Sequence, residues 1–143
     1  MNVRQKLCQV GFLVLLVLCP VVVSAQVTPV SATSSAEFTA SADHSTIDPF
    51  GRSIVEGYRL DVFVDGTTTI AFTKQLGKPL PVNNIITLVV PEFGTLPPNV
   101  IHRATVIAFN ADAASPPSAP SNPFGVPGPR QAPAPATGVQ AKP

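Results

Sequence analysis

The chain has two histidines, His44 and His102, and these are its only side chains that titrate near neutral pH as a matter of course. They are the first places to look for a general base or a metal ligand. A Ser-His-Asp relay needs a histidine braced by an acid and facing a nucleophile. Neither histidine is flanked by a G-x-S-x-G elbow or a similar nucleophile motif. Asp43, His44 and Asp48 lie close together, and carboxylate oxygens suit calcium. The D-x-D-x-D-G calcium loop is absent, however, so the stretch reads as a solvated loop. No glycine-rich strand-to-helix loop is present to cradle phosphate. Arg-Gly-Asp and Asn-x-Ser/Thr are absent too. The expectation is a non-catalytic chain with no metal and no cofactor.

The first 25 residues have the layout of a secretory signal. Arg4 and Lys6 precede an apolar run from Val10 to Leu18 that resumes at Val21–Val23, and Val23-Ser24-Ala25 offers small residues for cleavage between Ala25 and Gln26. The span from Val10 to Val23 is shorter than the roughly 20 residues that cross a bilayer. Leu16-Val17-Leu18-Cys19 is only loosely like a lipoprotein box, because Leu18 is bulky and Pro20 follows the cysteine, so a lipid anchor at Cys19 is disfavoured. The sequence therefore predicts export, to the periplasm or to the outside, with no membrane attachment once the signal is removed. Cys8 and Cys19 both fall in the signal, and a domain built from the rest must hold together without a disulfide. Of nine Lys/Arg, Arg4 and Lys6 leave with the signal; seven then face eight Asp/Glu, a net charge of −1. No basic excess remains to attract nucleic acid.

These residues must be positioned by strands. Residues 26–35 form a polar lead with a weak strand near Gln26–Val30. From 36 to 124 apolar residues recur at every second position, the strand period. Glu56–Val64 alternates, Asp65-Gly66 signals a turn, and Thr67–Thr73 is rich in β-branched residues. Leu76–Pro81 reads as a loop, Ile85–Val90 as a strand ended by Pro91, and Ile101–Asn110 as another strand. Phe38–Ala42 lies upstream, and Asn122–Val126 can add an edge strand. Residues 125–143 are rich in Pro, Ala and Gly and read as an extended, disordered tail. About seven short strands with this turn spacing predict an all-β, antiparallel two-sheet sandwich.

Within that frame the stretch Leu96–Asn110 is informative. Leu96, Pro98, His102, Ala104, Val106, Ala108 and Asn110 stand at the spacing of the E–F corner and strand F of a fibronectin type III domain. Gly57-Tyr58-Arg59-Leu60-Asp61-Val62 resembles that family's strand C. Ser115-Pro116-Pro117-Ser118 resembles its turn into the last strand, and Phe38 stands where its strand-B tryptophan usually is. The resemblance implies an immunoglobulin-like fold. It also implies a structural corner at Leu96 and His102, with His102 in place of the family's tyrosine and a ring N–H bonding a carbonyl of the Leu96–Asn99 loop.

In this register Tyr58, Leu60, Val62 and Val64 face the core from one strand, and His102, Ala104, Val106 and Ala108 from its neighbour. Alternation sends Arg59, Phe63, Arg103, Ile107 and Phe109 to a common outer face, and aromatic side chains with arginine are the usual anchors of protein interfaces. The family resemblance implies a non-catalytic role in binding or adhesion at or outside the cell envelope, toward a protein or an envelope glycan. That role would use the outer face or the long loop Ser45–Val55. The alternatives are a structural spacer or envelope subunit, and an accessory module of a secreted polysaccharide-degrading system. The last is disfavoured by the absence of tryptophan and the single tyrosine.

Overall fold

The computed structural model describes residues 25–130. The expected signal segment 1–24 and the tail residues 131–143 lie outside the described residues. Among the described residues seven strands form: β1 (Thr28–Pro29), β2 (Ser35–Thr39), β3 (Gly57–Val64), β4 (Ile70–Gly77), β5 (Ile85–Val89), β6 (His102–Phe109) and β7 (Phe124–Gly125). A 3₁₀ helix, Pro91–Thr95, lies between β5 and β6. The strands make two sheets, one ordered β1-β7-β6-β3-β4 and the other β2-β5. The described residues are mostly β, with almost no helix and two sheets, as alternation predicts. The sheets enclose two adjoining cores, one around Leu60, Val62, Val90, Phe93 and Phe124, the other around Tyr58, Ile86, Ala40 and Val55.

Local chemistry moves some strand ends from where periodicity places them. The Asp65-Gly66 turn runs on to Thr69, because the Thr67 hydroxyl donates to the Val64 carbonyl (2.9 Å) and accepts the Thr69 N–H (3.0 Å). Gly66 supplies the positive φ that this turn requires, +72°. β4 therefore begins at Ile70, three residues later than its β-branched run, and continues through Leu76, which composition had placed in a loop. A register shift between Val62 and Phe63 absorbs the difference against β3. At β5, Asn83 and Asn84 take φ of 50° and 65°, and Val82 and Ile85 exchange both backbone hydrogen bonds around them (2.8 and 2.9 Å). This is a two-residue hairpin turn of the primed type, in which asparagine tolerates left-handed backbone.

Between β6 and β7 the chain makes a serine strap. Ser115, Ser118 and Ser121 donate their backbone N–H groups to the carbonyls of Ala108, Val106 and Ala104, at 2.8 to 2.9 Å. Their hydroxyls accept the N–H groups of the same three residues, each at 3.0 Å. Three residues of strap thus oppose two of strand at each step, a repeated bulge. Pro116, Pro117 and Pro120 have no N–H to satisfy, so they fit between the serines without cost to the ladder. The edge of β6 is closed by this strap and, below it, by the pair His102↔Phe124. β1 then pairs in parallel with β7, Thr28 beside Phe124.

Candidate functional site

Both histidines depart from the roles that sequence gives them. His44, expected in a solvated loop, is buried. Its ring stacks on Tyr58, with centroids 5.8 Å apart and planes at 12°, and its Nδ1 lies 2.9 Å from the Tyr58 hydroxyl. That hydroxyl also accepts the Ser41 N–H at 3.1 Å. The single tyrosine therefore ties the loop after β2 to the inner face of β3. His102, expected to bond the Leu96–Asn99 loop, makes no hydrogen bond through either ring nitrogen among the described residues, although its side chain is fully buried. It stacks on Phe124 instead, at 6.3 Å. The corner is pinned from elsewhere: Asn99 N–H donates to the Val126 carbonyl (2.9 Å), and its side-chain oxygen accepts the Gly128 N–H (3.0 Å). Leu96 is buried in the main core.

Two unpaired buried nitrogens are a standing cost of roughly 1–3 kcal/mol for each group left without a partner. His102→Leu keeps an apolar side chain of similar size and removes both. The expected result is a rise in melting temperature of several degrees, about 1–2 kcal/mol, by calorimetry. A fall would show that the nitrogens are paired in solution.

The long loop Ser45–Val55 is a built hairpin. Ile47 bridges Ser53, Asp48 N–H donates to the Arg52 carbonyl (2.8 Å), and Ile54 N–H donates to the Thr46 carbonyl (3.0 Å). The Asp48 carboxylate holds the tip, accepting the backbone N–H groups of Phe50 and Arg52 and the Arg52 Nε, each at 2.8 Å. Asp48 is thus a turn residue. Among the described residues no three His, Cys, Asp or Glu side chains come together as metal ligands. The Arg52 backbone N–H above all, with the Arg52 side chain and the Phe50 N–H, holds the Asp48 carboxyl below its ordinary value of 3.8. On β4, Lys74 does the same for Glu92 at the start of the 3₁₀ helix, through two contacts of 2.6 Å.

A depressed folded-state pKa gives stability that is complete above the ordinary carboxylate range and is lost as pH falls through the lower folded value. The melting temperatures of the wild type and Asp48→Asn should therefore differ at pH 6 and converge as the pH falls below the ordinary carboxylate range, under about pH 4. A gap independent of pH would remove Asp48 from the acid response.

Neighbouring loops join this hairpin at one end of the sheets. Lys78 Nζ reaches the Ser53 hydroxyl (2.6 Å), Asn110 Nδ2 donates to the Ile54 carbonyl (2.8 Å), and Glu56 N–H donates to the Phe109 carbonyl (2.8 Å). The ends of β3, β4 and β6 meet here, since Gly57 pairs with Phe109 and Tyr58 with Gly77. This end displays the most exposed large apolar side chains among the described residues: Leu80 (88%), Phe50 (84%), Val82 (72%) and Ile47 (64%). The Arg52 guanidinium lies 5.7 Å from the Phe50 ring centre.

The outer face behaves differently. The register sets Arg59 opposite Ile107, Phe63 opposite Arg103 and Gly57 opposite Phe109, so these side chains do share one face. Ile107, however, is only 6% exposed, and is corrected from a contact residue to a covered one. Alternation specifies the face but not the cover. A short isoleucine among long neighbours such as Arg59 and Phe109 is hidden by them. Phe63 and Phe109 are half-buried, and the Phe109 ring lies over Gly57, where an added Cβ would come within 2.7 Å of it. Arg59 is held by Asp61 at 2.9 Å, and Arg103 by Asp65 at 2.6 Å and the Ser121 carbonyl at 2.8 Å. This face is internally paired. Ala25 and Gln26, the expected cleavage site, are exposed at the start of the described chain.

The tip cluster was not legible as a site in the sequence. Phe50 and Leu80 are isolated apolar residues in Pro/Gly-rich loops 30 positions apart, and the available signal was loop length alone. Among the described residues no helix is long and apolar enough to cross a membrane. No family model matches the sequence, and no curated protein or solved structure matches it.

Proposed function

We propose that this chain is an exported, non-catalytic binding or adhesion module of fibronectin type III-like, immunoglobulin-like architecture. It engages a partner protein through the loop end that carries Phe50 and Leu80. The exposure of four large apolar side chains on braced loops carries this reading. A free chain gains nothing from holding Phe50 out on a turn tied by three hydrogen bonds to one carboxylate. A binding module does gain, because the entropy of ordering that loop is already spent before the partner arrives. Aromatic and arginine side chains at a protruding tip are the composition of interface hot spots. The architecture is supported by the strand order β7-β6-β3-β4 facing β2-β5, and by loops 45–55, 78–84 and 110–114 gathered at one end.

The test is a pull-down from envelope and culture fractions with the wild type, Phe50→Ser/Leu80→Ser, and Phe63→Ser/Phe109→Ser, each checked for folding by circular dichroism. The expected result is a partner kept by the wild type and lost by the folded loop variant. Loss confined to the Phe63/Phe109 variant would move the site to the outer face. Equal capture by all three would favour the spacer.

A further inference from the structure

We infer that the side of the sandwich between β2 and the serine strap is a receptor groove for an extended peptide strand from a partner protein, with a basic residue opposite Glu37. This does not rest on the loop-end reading, since it uses other residues at another surface.

Among the described residues β2 has one partner, β5, and a free second edge. The strand that could cover that edge, β1, pairs with β7 in the opposite sheet instead. The register identifies the groups left over. Val90 N–H donates to the Ser34 carbonyl and Ala40 N–H to the Asn84 carbonyl, so every second residue counted from Ser34, including Ala36 and Phe38, turns its backbone toward β5. Ser35, Glu37 and Thr39 therefore turn their N–H and C=O groups outward, which makes up to six hydrogen-bonding positions for an added strand.

That edge opens on a groove of about 590 Å³ whose far wall is the strap, at Pro116 and Ala119. Strap prolines have no N–H, and the strap serines are committed to β6, so β2 offers an inserted strand the continuous pairing edge and the strap does not. The floor is apolar and under-covered. Ala36, Phe38, Val106 and Ala108 all face inward, yet each is only half-buried. An added strand with apolar side chains at every second position would cover them, which is recognition by strand addition.

Among the described residues Glu37 is the only charged one lining the groove, and it lies at the middle of the five-residue edge. It selects the occupant. A second copy adding its own β2 antiparallel about this centre would set Glu37 against Glu37, and like charges directly opposite are destabilising. A partner strand with Lys or Arg at that position gains the pair instead.

The test uses the purified protein and two palindromic peptides, Val-Thr-Val-Lys-Val-Thr-Val and its Glu-centred analogue, read by fluorescence polarisation and amide exchange. The Lys peptide should bind at least about tenfold more tightly than the Glu peptide, equivalent to about 1.4 kcal/mol. Glu37→Lys should invert the preference, and bound peptide should protect the amides of Ser35, Glu37 and Thr39. Exchange on the wild type decides the matter even if the variant fails to fold. Three results would overturn the proposal. The first is no binding of either peptide, or equal binding indifferent to Glu37→Lys; Glu37 would then only guard the edge against aggregation. The second is self-association through β2 in sedimentation. The third is protection of those amides in the free monomer, which would mean that the chain already covers this edge itself.

Discussion

Phe93→Ala should lower the unfolding free energy by about 3–5 kcal/mol, the range for removing a large aromatic side chain from a core. Phe93 sits on the 3₁₀ helix and is buried in the main cluster with Leu60, Val62 and Leu96. Its ring lies 5.1 Å from Phe124 and 6.1 Å from Phe72, and so links β7 and β4 across the interior. Truncation would leave a gap between Phe72 and Phe124, which pack on this ring. Both cysteines precede residue 25, so no disulfide supports the sheets. For a domain of about 100 residues each kcal/mol is worth roughly 4–8 °C, and the melting temperature should fall by well over about 10 °C. Calorimetry or urea titration measures it. A loss below about 1 kcal/mol would mean that the 3₁₀ helix is not part of the cooperative core.

Tyr58→Phe should cost about 2–4 kcal/mol although it removes a single oxygen. The ring remains and keeps its tilted contact with Phe38 at 5.2 Å and its stack on His44. What disappears is the partner shared by the Ser41 N–H and His44 Nδ1, and two polar groups are left without one beneath the loop. The damage should be local as well as global. Amides of residues 41–55 should exchange faster than those of β3 and β6, since the root of the hairpin is released while the sheet is intact. Adding His44→Phe should recover part of the loss, because one of the stranded groups goes with it; a double-mutant cycle measures that coupling. Strict additivity would show that the His44–Tyr58 bond is not formed in solution.

The comparison of the two histidines shows where sequence reasoning stops. His44 sits in Asp-His-Ser-Thr, a run that reads as solvated loop, yet it is buried by a tyrosine 14 positions on. His102 sits at the spacing of a hydrogen-bonded corner, yet its nitrogens bond nothing and Asn99 is held by residues after β7. Residue type says what a side chain is able to bond. Which atom stands within 3 Å of it depends on how two sheets are superposed, and no local pattern carries that.

The strands themselves were legible because their cause is local. Side chains alternate across a pleated backbone, so apolar residues at every second position from Tyr58 to Val62 and from Ala104 to Val106 declare both the strand and its inner face. Asp65-Gly66 and Pro91 marked ends for the same reason, since they act on their own φ or N–H. The sequence by itself thus determined the strand-built character of the described residues, the inward and outward sets of β3 and β6, and the absence of a disulfide among the described residues. Tertiary structure alone decided three further things. It placed β1 beside β7, which leaves β2 with a free edge among the described residues. It matched serines spaced by three to strand residues spaced by two, a fit that exists only once β6 lies alongside. It brought Phe50 and Leu80 to one end. Each of these is a relation between segments far apart in the chain, created by the packing of one sheet on the other, whereas period and turn chemistry act only on near neighbours.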